Sequence, residues 1–131
     1  MALSTNDLLT TSVADRDGII VLSVAGEVDL ATAPDLQAAL DTAVAEDPPA
    51  LVVDLLEVTF LGSVGLQLLV STQQRLGQQA RFAVAAEGAA TSRPIHLTGL
   101  HELLGLYPTL EEALVAVHPR LGLALGNGDD G

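Results

Sequence analysis

The alternation of apolar and polar positions is most informative between Ala50 and Gly77. Ala50-Leu-Val-Val-Asp-Leu55 is a short, nearly continuous apolar run with paired valines. Such a run predicts a strand covered on both faces of a parallel sheet, and here the central strand, with Asp54 close to its end. Further on, Leu66, Leu69, Val70 and Leu76 share one helical face, with Gly77 as a C-terminal stop and Gln73, Gln74 and Arg75 toward water. The spacing predicts a helix from about Ser63 to Leu76. A loop joins the two elements, and Ser63 sits where it opens into the helix. A hydroxyl there can cap the helix or carry a new negative charge at its positive end.

The rest of the chain follows the same two periods. Residues 7 to 14 are weakly strand-like, and Asp15-Arg-Asp-Gly18 turns into Ile19-Ile-Val-Leu-Ser-Val-Ala25, predicting a β-hairpin. Thr32-Ala-Pro-Asp35 has a capping hydroxyl, a proline in the first turn and an acid three residues on, which marks a helix start. Leu36, Ala39, Leu40, Ala43 and Val44 form its apolar face, and it stops near Glu46 before Asp47-Pro-Pro49. Arg81 to Ala86 is the next strand. Pro94 permits only a short helix from about Ser92, ended by Gly99. A small strand lies around Leu103 to Tyr107, and Thr109 with Glu112 caps a last helix whose buried face is Leu110, Ala113, Leu114 and Val117. From His118 the periodicity is lost, and the chain ends Gly-Asn-Gly-Asp-Asp-Gly, which reads as a flexible acidic tail. The order β-β-α-β-α-β-α-β-α implies an α/β domain with a mostly parallel sheet, its functional loops at the carboxyl ends of the strands. The division is an N-terminal segment 1–7, a domain 8–117 and a tail 118–131.

Composition narrows the function. A chain of 131 residues with 49% hydrophobic content builds one core. Its aromatics are Phe60, Phe82 and Tyr107, too few for stacking on bases. Five arginines, no lysine and 17 acids give a formal charge of −12, which repels phosphate backbones and anionic membrane surfaces. A basic or neutral protein partner fits, and nucleic acid and direct membrane binding do not. There is no cysteine, hence no disulfide or thiolate chemistry. The opening Met-Ala-Leu-Ser-Thr-Asn-Asp has no basic, then apolar, leader pattern, and the apolar region from Ala50 to Val70 is broken by Asp54, Glu57, Gly62 and Gln67. A cytoplasmic location is expected.

Enzyme chemistry finds little footing. His96, His101 and His118 are not spaced as a metal set, and no cofactor is expected. Ser63 has no sequence-local base, Gly62-Ser-Val-Gly65 lacks the Gly-x-Ser-x-Gly spacing, and there is no Gly-x-x-x-x-Gly-Lys loop. Asp54 at a strand end could be a phosphoaspartate, but that chemistry looks for a lysine that is absent; a carboxylate capping loop amides is the simpler role. Glu27 and Asp29 follow the second strand, in a loop expected on the same side of the sheet as Ser63, as solvated loop acids or as a cap for the helix at Thr32.

Three segments together carry a family resemblance: Gly26-Glu-Val-Asp-Leu-Ala-Thr-Ala-Pro34, Val53-Asp-Leu-Leu-Glu-Val-Thr-Phe-Leu-Gly-Ser-Val-Gly-Leu66, and Leu97-Thr-Gly-Leu100 followed by Tyr107-Pro-Thr-Leu-Glu-Glu-Ala113. In this order and spacing they resemble the STAS domain of bacterial anti-sigma factor antagonists, over roughly residues 8–117. The resemblance implies a single STAS domain that is not an enzyme. It would bind an anti-sigma factor with serine kinase activity, release a sigma factor, and be switched off by phosphorylation and restored by a PP2C-type phosphatase. The family's central loop reads acid, serine, serine, glycine, with the first serine phosphorylated. That serine corresponds to Ser63, the acid position holds Gly62 and the second serine position holds Val64. The implied partner-binding set is Glu27, Asp29, Thr32, Gly62, Ser63, Val64, Gly65 and Gln67. Pro94 is a further departure, in the helix beside the binding face. Gly62 and Val64 also motivate an alternative: a STAS module that is not phosphorylated and serves as an accessory subunit of a transporter or larger signalling assembly.

Overall fold

A computed structural model describes residues 8–118. Strands β1 (Leu9–Arg16) and β2 (Ile19–Val28) lead to helix α1 (Ala33–Ala45), then β3 (Ala50–Leu61), α2 (Ser63–Leu76), β4 (Arg81–Ala85), α3 (Ser92–Leu97), a 3-10 turn at Leu100–Glu102, β5 (Leu106–Tyr107) and α4 (Leu110–Val117). The five strands form one sheet in the order β1-β2-β3-β4-β5, with β1 antiparallel to β2 and the remaining pairs parallel. The mostly parallel α/β architecture is therefore the observed one.

Local chemistry explains most element boundaries. Asp17 (φ 58) and Gly18 (φ 90) both take positive φ in the two-residue turn between β1 and β2, as tight right-twisted hairpins require. The Gly18 amide also donates to Asp15 Oδ1 at 2.8 Å. At α4 the predicted cap is present, with the Glu112 amide donating to Thr109 Oγ1 at 3.1 Å. Leu51, Val52 and Val53 are fully buried, as a strand sandwiched between helices should be.

The small strand expected around Leu103 to Tyr107 is only Leu106–Tyr107, the first strand is Leu9–Arg16 and not 7–14, and two further differences bear on the site. β3 does not stop near Asp54; it continues to Leu61, because β2 is long enough to pair Ala25–Val28 with Glu57–Leu61 and so satisfies the backbone beyond the apolar run. A register shift between the Ser23–Asp54 and Ala25–Glu57 pairs absorbs one extra β3 residue. Asp54 therefore lies within the strand, accepting from the Leu56 amide at 2.9 Å across that irregularity. Similarly, Glu27 belongs to β2, opposite Phe60, and not to a loop.

The sheet divides two cores. On one side α1 and α2 pack Leu36, Leu40, Leu66 and Leu69 against Leu22, Val24, Val53 and Leu55, with Ile95 of α3 joining them. On the other, Ala113 and Val117 of α4 cover Ile19, Val21, Val52 and Ala85. Arg75 Nη1 meets Asp41 Oδ1 at 2.7 Å and ties α2 to α1. Hydrogen bonds from Arg75, then Gln37, hold the Asp41 carboxyl below the ordinary value, though the pair is too solvated to contribute much stability. Among the described residues no helix is long and apolar enough to cross a membrane. The tail assigned to 118–131 lies, beyond His118, outside the described residues.

Leu69, with no exposed surface, sits at the centre of the α2 contact. Leu69→Ala is expected to lower unfolding free energy by about 2–5 kcal/mol, measured as a fall in the urea midpoint at unchanged slope.

Candidate functional site

The candidate site is the junction of β3 and α2. After Leu61 the chain stays extended through Gly62 (φ −82, ψ 175) and then turns into the helix. The Gly62 amide donates to the Val28 carbonyl at 2.9 Å, and the Gly62 carbonyl accepts from the Gly65 and Leu66 amides at 3.0 and 3.3 Å. Gly62, not Ser63, is thus the N-cap residue, and no side chain caps α2. Ser63 is the first helical residue, exposed, and its hydroxyl has no hydrogen-bond partner among the described residues. The capping role that the sequence left open for Ser63 is not the one it plays.

Beside this junction runs the turn after β2. Asp29 Oδ1 accepts from the Ala31 and Thr32 amides, each at 3.0 Å. Thr32 Oγ1 donates to the Glu27 carbonyl at 2.8 Å and accepts from the Asp29 amide at 2.9 Å. Thr32 precedes α1 as expected, but its side chain makes no bond into that helix. It closes the turn instead, because the extended end of β2 leaves a carbonyl and an amide within reach that the helix does not satisfy.

Two apolar hollows flank Ser63. One, of about 510 Å³, lies between Asp29, Leu30 and Ala31 on one side and Phe60, Gly62, Ser63 and Val64 on the other. The second, of about 360 Å³, follows α2 through Ser63, Leu66, Gln67, Val70, Ser71 and Gln74 to Leu100 of the 3-10 turn. Leu30 is 82% exposed and Phe60 51%. Among the described residues no arginine lines either hollow.

Of the residues singled out from sequence, Asp29, Gly62, Ser63 and Val64 meet at the first hollow, and Ser63 and Gln67 at the second. Glu27 is half-buried in β2 and lines neither. Thr32 has no exposed surface, so it can affect a partner only through the turn it holds. Gly65 is buried as well; an added Cβ would lie 2.6 Å from Leu61 Cδ1 and 2.7 Å from Val28 Cγ1, so its absence is what lets α2 close on the sheet. Leu30, Phe60 and Leu100 were not singled out. The available signal was large apolar side chains in otherwise polar stretches, Leu30 between Asp29 and Thr32 and Phe60 after Thr59. The rings of His96 and His101 stand 4.4 Å apart, because the chain folds back after α3, a contact that helical spacing does not reveal. No group of three or more metal-ligating side chains occurs among the described residues.

These elements define the class. Residues 10–113 match the STAS domain family, and the chain belongs to that family, in the group of anti-sigma factor antagonists. It is 49% identical over 115 residues to the anti-sigma-F factor antagonist RsfB of Mycobacterium tuberculosis, covering 88% of this chain and 94% of the relative. The anti-sigma-B factor antagonist of Listeria monocytogenes is 32% identical over 91 residues, 69% of this chain and 79% of that one. A crystal structure of an anti-sigma factor antagonist from Mycobacterium paratuberculosis superposes with a TM-score of 0.83 at 56% identity, over 88% of this chain and 98% of that one. Unphosphorylated SpoIIAA, at 18% identity and a TM-score of 0.68 over 84% and 97% of the two chains, shares the fold.

The Thr32 network carries its own expectation. Thr32→Ala leaves the Asp29 amide and the Glu27 carbonyl short of a partner and is expected to destabilise the domain by about 1–3 kcal/mol in chemical denaturation, with the Asp29–Ala31 amides exchanging faster with deuterium.

Proposed function

We propose that this protein is an anti-sigma factor antagonist whose unphosphorylated form docks on an anti-sigma factor with serine kinase activity through the face around Ser63, freeing a sigma factor. The observation that supports this most is the state of Ser63. Its hydroxyl is exposed, unused by the fold, and set between two apolar hollows at the start of a 14-residue helix. The partner's kinase activity transfers the γ-phosphoryl group of ATP to Ser63 Oγ, the bond from Pγ to the β,γ-bridging oxygen breaking and ADP leaving, while the hydroxyl proton goes to the partner's base or to solvent. The phosphate brings about −1.5 to −2 charge into an apolar contact and ends docking by repulsion and desolvation, while the positive end of α2 tolerates it within the free domain. A PP2C-type phosphatase hydrolyses the ester and restores binding. This chain is substrate and ligand in the cycle, with no cofactor and no catalytic residue of its own. The residues offered to the partner are Asp29, Gly62, Ser63, Val64 and Gln67, with Glu27, Thr32 and Gly65 supporting the face from within. The acting unit is the domain 8–117, and the cycle belongs to the cytoplasm.

Gly62 and Val64, in place of an acid and a serine, favour a second reading: a STAS module that is never phosphorylated and acts as an accessory subunit of a transporter or signalling assembly. One experiment separates the two. Incubation with the anti-sigma kinase and ATP is expected to add one phosphate to wild type and none to Ser63→Ala, and Ser63→Glu alone is expected to lose binding. Labelling of Ser63→Ala would displace the site. Equal binding by all three proteins would favour the accessory module.

A further inference from the structure

The hollow between Leu30, Phe60 and Val64 has features that a regulatory serine alone does not require. Leu30 is 82% exposed, yet it sits on a turn fixed by four hydrogen bonds among Glu27, Asp29, Ala31 and Thr32. A large aliphatic side chain on a hydrogen-bonded turn is presented by backbone that need not be ordered when the side chain is covered. Phe60, 51% exposed and next to the last residue of β3, faces it across the hollow. The ionisable group among the lining residues is Asp29, and its Oδ1 is already engaged by the Ala31 and Thr32 amides. The centre of the hollow is therefore apolar, and its charge lies at the rim.

Gly62 forms the floor, and conformation does not explain the glycine. Its φ of −82 is open to any residue. Space does: an added Cβ would lie 3.2 Å from the Val28 carbonyl oxygen and 3.3 Å from Phe60 Cε2. Withdrawal of the backbone would strain the bond from the Gly62 amide to that same Val28 carbonyl, 2.9 Å long. A side chain at 62 would crowd the Phe60 ring and the Val28 carbonyl, which must give by a few tenths of an ångström, and a carboxylate would place a charge where the hollow is apolar.

Resting on the function proposed above, we infer that this hollow seats one large apolar side chain of the anti-sigma factor, flanked on the partner by a basic residue facing Asp29, and that Gly62 determines which anti-sigma factors are accepted. The basic neighbour follows from charge: the rim acid and a formal charge of −12 favour a cationic surround.

The test uses the full chain, without ATP so that no phosphate is transferred, and the M. tuberculosis anti-sigma-F factor as probe, with RsfB as positive control. Binding is followed by calorimetry. Leu30→Ser, Phe60→Ser and Gly62→Asp are each expected to weaken binding by about tenfold or more, while Leu97→Ser, exposed on α3 and outside both hollows, changes it by less than about twofold. Leu30→Ser is the decisive variant, because so exposed a side chain can be replaced without unfolding the domain; its thermal midpoint serves as the check. Should Leu30→Ser and Phe60→Ser bind like wild type while Ser63→Glu does not bind, the seat is wrong and the function stands. Should RsfB bind and wild type fail to, the function assigned to the face is itself overturned. Equal losses in Leu97→Ser and the hollow variants would also overturn the seat, since the effect would then be general to surface apolar residues.

Discussion

The parallel ladder between β2 and β3 is the constraint on which the candidate site depends. It runs from Ile19–Ala50 to Val28–Leu61 and is extended one step further by the Gly62 amide on the Val28 carbonyl. That last bond fixes the point at which α2 begins. It also sets the turn after β2 beside the first residue of α2, although the two are more than thirty positions apart in sequence. Without it, the Asp29–Thr32 turn and the Ser63 hydroxyl would be neighbours only on average. With it, the first hollow has a defined wall on each side.

The ladder also settles how polar groups are shared. Since Gly62 supplies the N-cap backbone and Thr32 is consumed in closing its own turn, neither capping task falls on Ser63. A hydroxyl relieved of structural duty can be modified at little cost to the fold. Gly65 completes the arrangement, because close approach of α2 to Leu61 and Val28 keeps the helix start rigid. The candidate site is thus a consequence of backbone accounting, which leaves the Ser63 hydroxyl exposed and unused by the fold.

Much of the fold could be read from periodicity, because the elements that carry it are strongly patterned: the valine run of β3, the Leu66–Leu69–Leu76 face of α2, the Asp17-Gly18 turn and the Thr109 cap. What escaped was non-local. The extra length of β3 depends on a partner strand and not on its own alternation, which Glu57, Thr59 and Phe60 disguise as a loop. Thr32 read as an ordinary cap because its sequence neighbours suit one, whereas its partners, Glu27 and Asp29, become accessible only once β2 is extended. Ser63 and Gly62 could be located by motif. Leu30, Phe60 and Leu100 could not, since exposure of an apolar side chain is a property of the folded surface and leaves no periodic trace.

The distribution of positive charge bears on how a phosphate on Ser63 would act. Of the arginines among the described residues, Arg75 is paired with Asp41, and none of them lines either hollow. A phosphate would find no guanidinium at the hollows to draw it inward and remodel the loop. Only the amides and dipole at the start of α2 would receive it, and these are already in place before modification. The switch on this reading acts by changing the chemistry of the surface around Ser63. Under the docking proposed above, discrimination between the two states arises at the contact itself, where an apolar partner side chain beside Ser63 would have to share its seat with a phosphate.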